Sequence, residues 1–200
     1  IGEAPWEFLS PEATALFDRL RRENPTGLAD VASIFVGVQT SADKIYIFEA
    51  VVETANAVTF DDVNGVRWTI EKAILRPALM DVQLPAFSRP QANTYIIFPY
   101  KIDESGAALY SVDEMQTQFP HCWEYLQNHE SRLRTRNLQN PEMWYGYGRT
   151  QSLTRFNGES KLIWPVLSLE PRYAYDDQDI LFTGGGNGPY YGLRPLPDTE

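Results

Sequence analysis

The residues with the clearest chemical potential lie in a basic segment from Glu130 to Lys161. This segment contains six cations and three acids, so its net charge is +3, whereas the rest of the chain has a net charge of −13. Arginine pairs bidentately with phosphate or with the major-groove edge of guanine. The overall charge of −10 argues against a generic nucleic-acid binder, but not against one basic surface on an acidic body. Arginines scattered over a solvated surface would give the same count.

Aromatic residues interrupt the basic segment in the sequence WYGYGR, which ends at Arg149. Aromatic side chains at such a place serve as buried packing, as a sugar platform or as a stacking surface for bases. We expect Trp144 and Tyr145 to be packing residues that anchor a glycine-rich loop carrying Arg149.

Other kinds of chemistry fail on residue type or spacing. His121, Cys122 and His129 are too few ligands for a zinc site, and a single cysteine excludes an internal disulfide and fits a reducing compartment. The run TGGGNGPYYG lacks the Lys-Ser/Thr pair of a phosphate-binding loop. Neither a G-x-S-x-G elbow nor an HExxH helix occurs. We therefore expect this chain itself to be non-catalytic and to bind no cofactor.

The elements that must position the arginines follow from hydrophobic periodicity. A helix is predicted to begin at Ser10-Pro11, and a second is predicted from Phe119 to about Thr135 with Arg132 and Arg136 beside its apolar face. The predicted strands are ASIFVGV, KIYIFE, VRWTI, NTYIIFPY, KLIWPVLSL, YAYDD, DILFT and PYYGL. QTSAD is predicted to be a hairpin turn, ILRPALMDVQLPAF an irregular connection, and KIDESGAA a turn or exposed loop.

These elements predict an α+β fold with a mixed or antiparallel β-sheet and two main helices. We expect a single domain over residues 1–200, in which residues 1–30 form an N-terminal helix and lead-in, cut from a longer protein. No run approaches the roughly 20 apolar residues that cross a bilayer. A cytoplasmic protein without a membrane partner is the expectation.

Several short motifs occur in an order that resembles a known family. Gly37-Val38-Gln39-Thr40 is followed by Asp43-Lys44 and Tyr46-Ile47, and then by ILRPALMDVQLPAF, YLQNHESRLRTR, MWYGYG and KLIWPVLSLEPRYAYDDQDILFTGGG. This order resembles the TaqI-like C-terminal specificity domain, or target-recognition domain, of adenine-specific DNA methyltransferases and type II (IIG) restriction-modification enzymes. The resemblance extends from about Trp6 to Leu193. Ser41 and Asp81 depart from it, because the family usually has glycine at or near these positions.

The resemblance implies a module that recognises double-stranded DNA and holds it for base flipping by a methyltransferase catalytic domain. That domain would lie upstream in the same chain or in a separate subunit, because the (Asn/Asp/Ser)-Pro-Pro-(Tyr/Phe) motif is missing here. The parent enzyme would use S-adenosylmethionine, and endonuclease activity would be an option for it. The candidate DNA-binding residues are Gln39, Thr40, Ser41, Lys44, Arg132, Arg136, Arg149, Gln151, Lys161 and Asn187.

Two other classes of function stay open. A carbohydrate-binding module would use some of the five Trp, eleven Tyr and ten Phe residues as stacking platforms. A protein-interaction domain, such as a specificity subunit that docks a separate methyltransferase, would use the same sheet.

Overall fold

The computed structural model describes residues 9–84, 86–138, 140–184 and 189–196. The helices are α1 (Pro11–Glu23), α2 (Leu28–Val31), α3 (Asp43–Tyr46), α4 (Val112–Gln118), α5 (Pro120–Asn128) and α6 (Glu130–Arg134). The strands are β1 (Ala32–Val36), β2 (Ile47–Phe48), β3 (Val52–Glu53), β4 (Ala57–Asp61), β5 (Arg67–Glu71), β6 (Leu75–Leu79), β7 (Thr94–Ile97), β8 (Tyr100–Asp103), β9 (Gly106–Leu109), β10 (Lys161–Pro165), β11 (Ala174–Asp176), β12 (Leu181–Phe182) and β13 (Tyr190–Pro195). This composition confirms the predicted α+β class.

The chain divides into two compact units. Of the described residues, the first unit contains 9–33 and 195–196, and the second contains Ile34–Arg194. Helix α1 of the first unit begins as predicted, because Ser10 Oγ accepts a hydrogen bond from the Ala13 amide and Pro11 occupies the first helical position. The single domain over residues 1–200 stays a prediction.

The first of two four-stranded sheets has the order β1-β13-β10-β11. Strand β10 pairs antiparallel with both neighbours, so that Ile163 lies between Gly192 and Ala174. A Cβ atom at Gly192 would lie 2.4 Å from the Phe35 ring, which explains glycine in this strand. Alternate residues along β10 face the core, as a period of two requires.

The second four-stranded sheet has the order β12-β6-β7-β2, with β12 parallel to β6 and the other pairs antiparallel. Strand β6 lies within ILRPALMDVQLPAF, so the prediction of an irregular connection was wrong for this part. Pro77 is tolerated because the pairing with β12 involves only Ala78 and Leu79. The missing amide of Pro77 therefore leaves no gap in that ladder.

Two smaller antiparallel sheets complete the second unit, with the orders β3-β4-β5 and β8-β9. The segment KIDESGAA forms most of the β8-β9 hairpin, so only its tip is the predicted turn. Asp103 Oδ1 accepts the Ser105 amide at 2.8 Å, and Gly106 has a φ of 129°, which closes this tip.

The predicted second helix is interrupted at His129, which separates α5 from α6. Its predicted apolar face is confirmed, since Cys122, Leu126, His129 and Leu133 are all buried. Glu71 from β5 caps the start of α5, because its carboxylate accepts the amides of His121 at 2.9 Å and Cys122 at 3.0 Å. Burial alone would raise the pKa of Glu71, but these hydrogen bonds outweigh it and lower the pKa below its ordinary value.

No helix among the described residues is long and apolar enough to cross a membrane.

Candidate nucleic-acid interface

The polar segment between β1 and β2 is not the predicted hairpin turn, because these two strands belong to different sheets. The first half of the predicted strand KIYIFE belongs to the helical turn α3, and only Ile47–Phe48 is extended. Local hydrogen bonds cause the difference: Thr40 Oγ1 accepts the Ala42 amide at 2.9 Å and donates to Asp43. Thr40 itself is buried, so its side chain is not a DNA contact in this conformation.

A second segment lies along the first and supplies Arg149. The Gly148 amide donates to Thr40 O at 3.0 Å, and the Arg149 amide donates to Gln39 O at 3.2 Å. A Cβ atom at Gly148 would lie only 2.2 Å from Ser41 Oγ, so glycine permits the close approach. We call segments 39–41 and 146–149 together the paired loops. They bring Gln39, Ser41 and Arg149 to one place.

The glycine run begins beside the paired loops. The Val38 amide donates to Phe182 O and the Gly184 amide donates to Val38 O, both at 2.9 Å. A Cβ atom at Gly37 would lie 2.1 Å from Phe182 O, and one at Gly184 would lie 2.5 Å from Gly37 N. Two glycines therefore allow these backbones to touch. Asn187 lies outside the described residues.

Buried aromatic residues pack next to the paired loops on the side of the protein core. Trp144 and Tyr145 are buried against Trp123, with ring centroids 5.5 and 5.1 Å away, which confirms their predicted packing role. Tyr145 also donates its hydroxyl to Tyr110 O at 2.8 Å. Tyr147 is buried too, so the WYGYGR sequence provides three packing anchors and one exposed arginine.

Two buried tyrosines fix the backbone of the second loop. Tyr46 donates its hydroxyl to Tyr145 O at 2.9 Å and to Gly146 O at 3.1 Å, and the Tyr147 amide donates to Tyr100 Oη at 2.6 Å. Burial raises the pKa of Tyr100 to about 12 and also raises the pKa of Tyr46. Both hydroxyls consequently keep their protons at physiological pH.

Arg136, predicted to contact phosphate, points into the protein instead. Its guanidinium group donates to Thr40 O at 2.6 Å, Trp144 O at 2.5 Å and Gly146 O at 3.0 Å, and its Nε donates to Leu133 O at 2.9 Å. These carbonyls occupy the guanidinium N–H donors that would otherwise bind a phosphate. The prediction of a direct DNA contact is therefore corrected.

Lys161 is also corrected, because its side chain is 0% exposed. Its Nζ lies 2.6 Å from Asp176 Oδ2 and 3.5 Å from Asp179 Oδ1. Asp179 in turn pairs with Arg76 and accepts the Gly158 amide at 3.0 Å. This buried charge network leaves the Lys161 ammonium group inaccessible to DNA.

Three candidate cations differ from the other cations of the second unit. Lys44, Arg132 and Arg149 are exposed and have no carboxylate partner among the residues that the structure describes. The cations that pair with carboxylates are Arg67, Lys72, Arg76, Arg89, Lys101, Arg134, Lys161, Arg172 and Arg194. Arg155 lies over the Phe35 ring.

The structure brings only some of the predicted site residues together. Gln39, Ser41 and Arg149 meet in the paired loops, whereas Lys44 lies on α3, Arg132 lies on α6 and the exposed Gln151 follows Arg149. Sequence reasoning missed two residues that shape the site without being exposed in it. Tyr46 holds the backbone of the second loop, and Gly148 lets the two loops approach each other. The one signal for Gly148 was its place among large aromatic residues.

Within the described ranges, no group of three or more His, Cys, Asp or Glu side chains could hold a metal ion. Cys122 is a buried free thiol, and burial raises its pKa well above the ordinary value.

Curated proteins that are similar to this chain include two bacterial enzymes. No family model matches the sequence. The chain is 29% identical over 178 residues to the Type II restriction enzyme and methyltransferase RM.Eco57I of Escherichia coli, a match that covers 84% of this chain and 17% of that protein. It is 28% identical over 148 residues to the Type II methyltransferase M.BstVI of Geobacillus stearothermophilus, covering 72% of this chain and 22% of that protein. The chain thus spans only a small part of the length of either relative.

Proposed function

We propose that this chain is the double-stranded DNA target-recognition domain of an adenine-specific DNA methyltransferase in a restriction-modification system. It would hold the duplex in register while a catalytic domain outside this chain flips and methylates the base. That catalytic domain would bind S-adenosylmethionine, and the enzyme would act in the cytoplasm. The observation that carries the proposal is the exposed Arg149, held beside Gln39 and Ser41 by main-chain hydrogen bonds and without a carboxylate partner in the described part of the chain.

The backbone supports the TaqI-like resemblance at the two positions where the sequence departs from it. Ser41 has a φ of 56° and Asp81 has a φ of 47°. Glycine is the residue that adopts such left-handed conformations without strain. The two departures are therefore places where the backbone still has the shape that a glycine would favour. The names of both relatives, which are methyltransferases, agree with this assignment.

A few exposed cations are sufficient for this function. Phosphate contacts position a protein on DNA, and base-edge contacts supply specificity. Lys44 and Arg132 have the free charge that phosphate contacts need, and Gln39 and Arg149 have the donors that read adenine and guanine edges. Lys44 lines one groove with Glu49, Asp61 and Asp62, of which Asp61 is paired with Arg67 and Asp62 is buried.

Replacing Arg149 by alanine in the full-length protein should weaken DNA binding by about 1–3 kcal/mol, because a bidentate base contact is lost. Lys44→Ala and Arg132→Ala should each weaken binding to all sequences and reduce the salt slope by about one. The measurement is the affinity for a pool of random-sequence duplexes and for the best duplex selected from it, over a range of salt concentrations.

Arg67→Ala is the matched control, since it removes the same charge from an exposed arginine that is paired with Asp61. We expect this variant to bind DNA like the parent protein. If Arg149→Ala also behaves like Arg67→Ala, the paired loops do not contact DNA and the proposal fails.

A protein-docking function has a separate observation in its favour, namely an uncovered face of the first sheet. Trp164 of β10 lies between Tyr173 and Tyr191, with ring centroids 6.0 and 5.8 Å away. In the adjoining loop, Leu167 is 91% exposed and Leu169 is fully exposed. Such contiguous apolar surface is rare on isolated proteins and marks an interaction site.

The proposed occupant of this face is the methyltransferase catalytic domain, in the same polypeptide or in a separate subunit. The relatives are methyltransferases of which this chain spans 17% and 22%, so most of such a protein would lie outside it. Asp81, Glu170 and Arg172 line the neighbouring groove, and because Arg172 pairs with Glu170 the remaining charge is negative, which disfavours DNA as the occupant.

Hydroxyl-radical labelling of the assembled enzyme tests this docking face. Leu167 and Leu169 should be labelled far less than Val52 of β3, which is 53% exposed, belongs to a different sheet and serves as the control. Labelling of all three at similar rates would contradict docking. Protection of Trp164 by a soluble glycan, independent of salt, would instead favour the carbohydrate-binding alternative.

A further inference from the structure

Arg136 lies at the junction of the paired loops and α6. Its Nη1 reaches Thr40 in the first loop, and its Nη2 reaches Trp144 and Gly146 next to and within the second. Its Nε donates to Leu133 O, so the same side chain is tied to the last turn of α6. One guanidinium group therefore connects three segments of the chain.

The bonding of Arg136 is that of a half-buried structural cation. All four acceptors are main-chain carbonyls, and no carboxylate pairs with it among the described residues. The guanidinium group also lies over the Tyr46 ring, 5.5 Å from its centroid. Hydrogen bonds from a charged donor are stronger than those between neutral groups, and the planar fork fixes their directions.

Thr40 O is the acceptor on which the register of the paired loops depends. It accepts both Arg136 Nη1 at 2.6 Å and the Gly148 amide at 3.0 Å. On the opposite side, Gly146 O accepts both Arg136 Nη2 at 3.0 Å and the Tyr46 hydroxyl at 3.1 Å. A shift of Arg136 would therefore move segments 39–41 and 146–149 relative to each other.

We propose that Arg136 is a positioning residue that sets the sequence selectivity of DNA recognition without touching DNA. It fixes the distance between Gln39 and Ser41 on one loop and Arg149 on the other. Because base-edge hydrogen bonds require accurate placement, a small shift removes discrimination between sequences while phosphate contacts persist. This inference rests on the proposed function of the paired loops.

The test is Arg136→Lys in the full-length protein, with selection from a pool of random-sequence duplexes followed by sequencing. Lysine keeps the charge but has a single ammonium group that cannot reach all four carbonyls. The affinity ratio between the best selected duplex and the pool should fall about tenfold, comparable to losing the readout of one base pair. The salt slope should stay unchanged, because no phosphate contact is lost.

Tyr46→Phe is the second variant, because it removes a hydroxyl that holds Tyr145 O and Gly146 O without changing any charge. It should lower the same affinity ratio, and it keeps the test valid if Arg136→Lys does not fold. If Arg136→Lys folds and keeps full selectivity, the inference is overturned. If only Tyr46→Phe folds, full selectivity in that variant overturns it. A salt slope reduced by about one in Arg136→Ala would overturn it too, since that is the signature of a phosphate contact.

The Arg149→Ala result separates this inference from the function on which it rests. If Arg149→Ala weakens DNA binding and Arg136→Lys keeps full selectivity, only the positioning role is refuted. If Arg149→Ala has no effect on DNA binding, the proposed function is refuted and the positioning role with it.

Discussion

Replacing Lys161 by methionine should lower the free energy of unfolding by about 3–5 kcal/mol, the typical cost of breaking a buried ion pair from one side. Methionine fills a similar volume but leaves Asp176, whose side chain is 0% exposed, without a cation. The amides of Gln178 and Ile180 would remain as its hydrogen-bond donors, each at 2.9 Å. They satisfy the geometry of the carboxylate but do not neutralise its charge.

Urea unfolding followed by tryptophan fluorescence measures this loss. Lys72→Met is the matched control, because Lys72 forms a partly exposed pair with Glu53 and its loss should cost less than about 1 kcal/mol. Equal effects of the two substitutions would contradict the buried network. A phosphate-binding Lys161 would show the opposite result, with weakened DNA binding and unchanged stability.

The sequence contained a signal for the buried position of Lys161 that charge counting overlooks. Residues two apart on a strand share a face, so Lys161 lies on the same face as the buried Ile163. The same period places Asp176 beside Ala174 on β11, and the antiparallel register sets Lys161 opposite Asp176. Counting cations in a segment cannot reveal such a partner, because the pairing depends on strand register.

Local features of the fold could be predicted, and long-range ones could not. The Ser10 cap, most strands and the buried face of α5 and α6 follow from periodicity and capping within a short window. The helical turn α3 was missed because the Thr40–Asp43 hydrogen bonds override the strand-like pattern of KIYIFE. Assigning β1 and β2 to different sheets requires tertiary information.

The same limit explains which candidate arginines were assigned correctly to an exposed position. Arg136 and Arg149 belong to one basic segment and look alike in sequence. The Arg136 side chain points inward because it donates to the main-chain carbonyl of Thr40, about a hundred residues away in sequence. Arg149 stays exposed because only its backbone amide, and not its side chain, pairs with Gln39.

Gly37→Ala is expected to destabilise the protein by about 3 kcal/mol or more, at the upper end of overpacking effects. The added Cβ would lie 2.1 Å from Phe182 O and 2.5 Å from the Thr183 carbonyl carbon. These are backbone atoms of a paired strand, so they cannot rotate away as a flexible side chain would. The Val38–Phe182 hydrogen bond at 2.9 Å should be lost as the strands separate.

The Gly37 substitution should also weaken DNA binding, because Val38 leads directly into Gln39 of the paired loops. Gly65→Ala is the control: Gly65 has a φ of 78° and open space around its Cα, so alanine there should cost only about 1 kcal/mol of left-handed strain. Urea unfolding and DNA titration of both variants, compared at a temperature where each is folded, provide the measurement. A Gly37→Ala protein as stable as Gly65→Ala would show that the two backbones need not touch, and the glycine run would then lose its structural connection to the candidate interface.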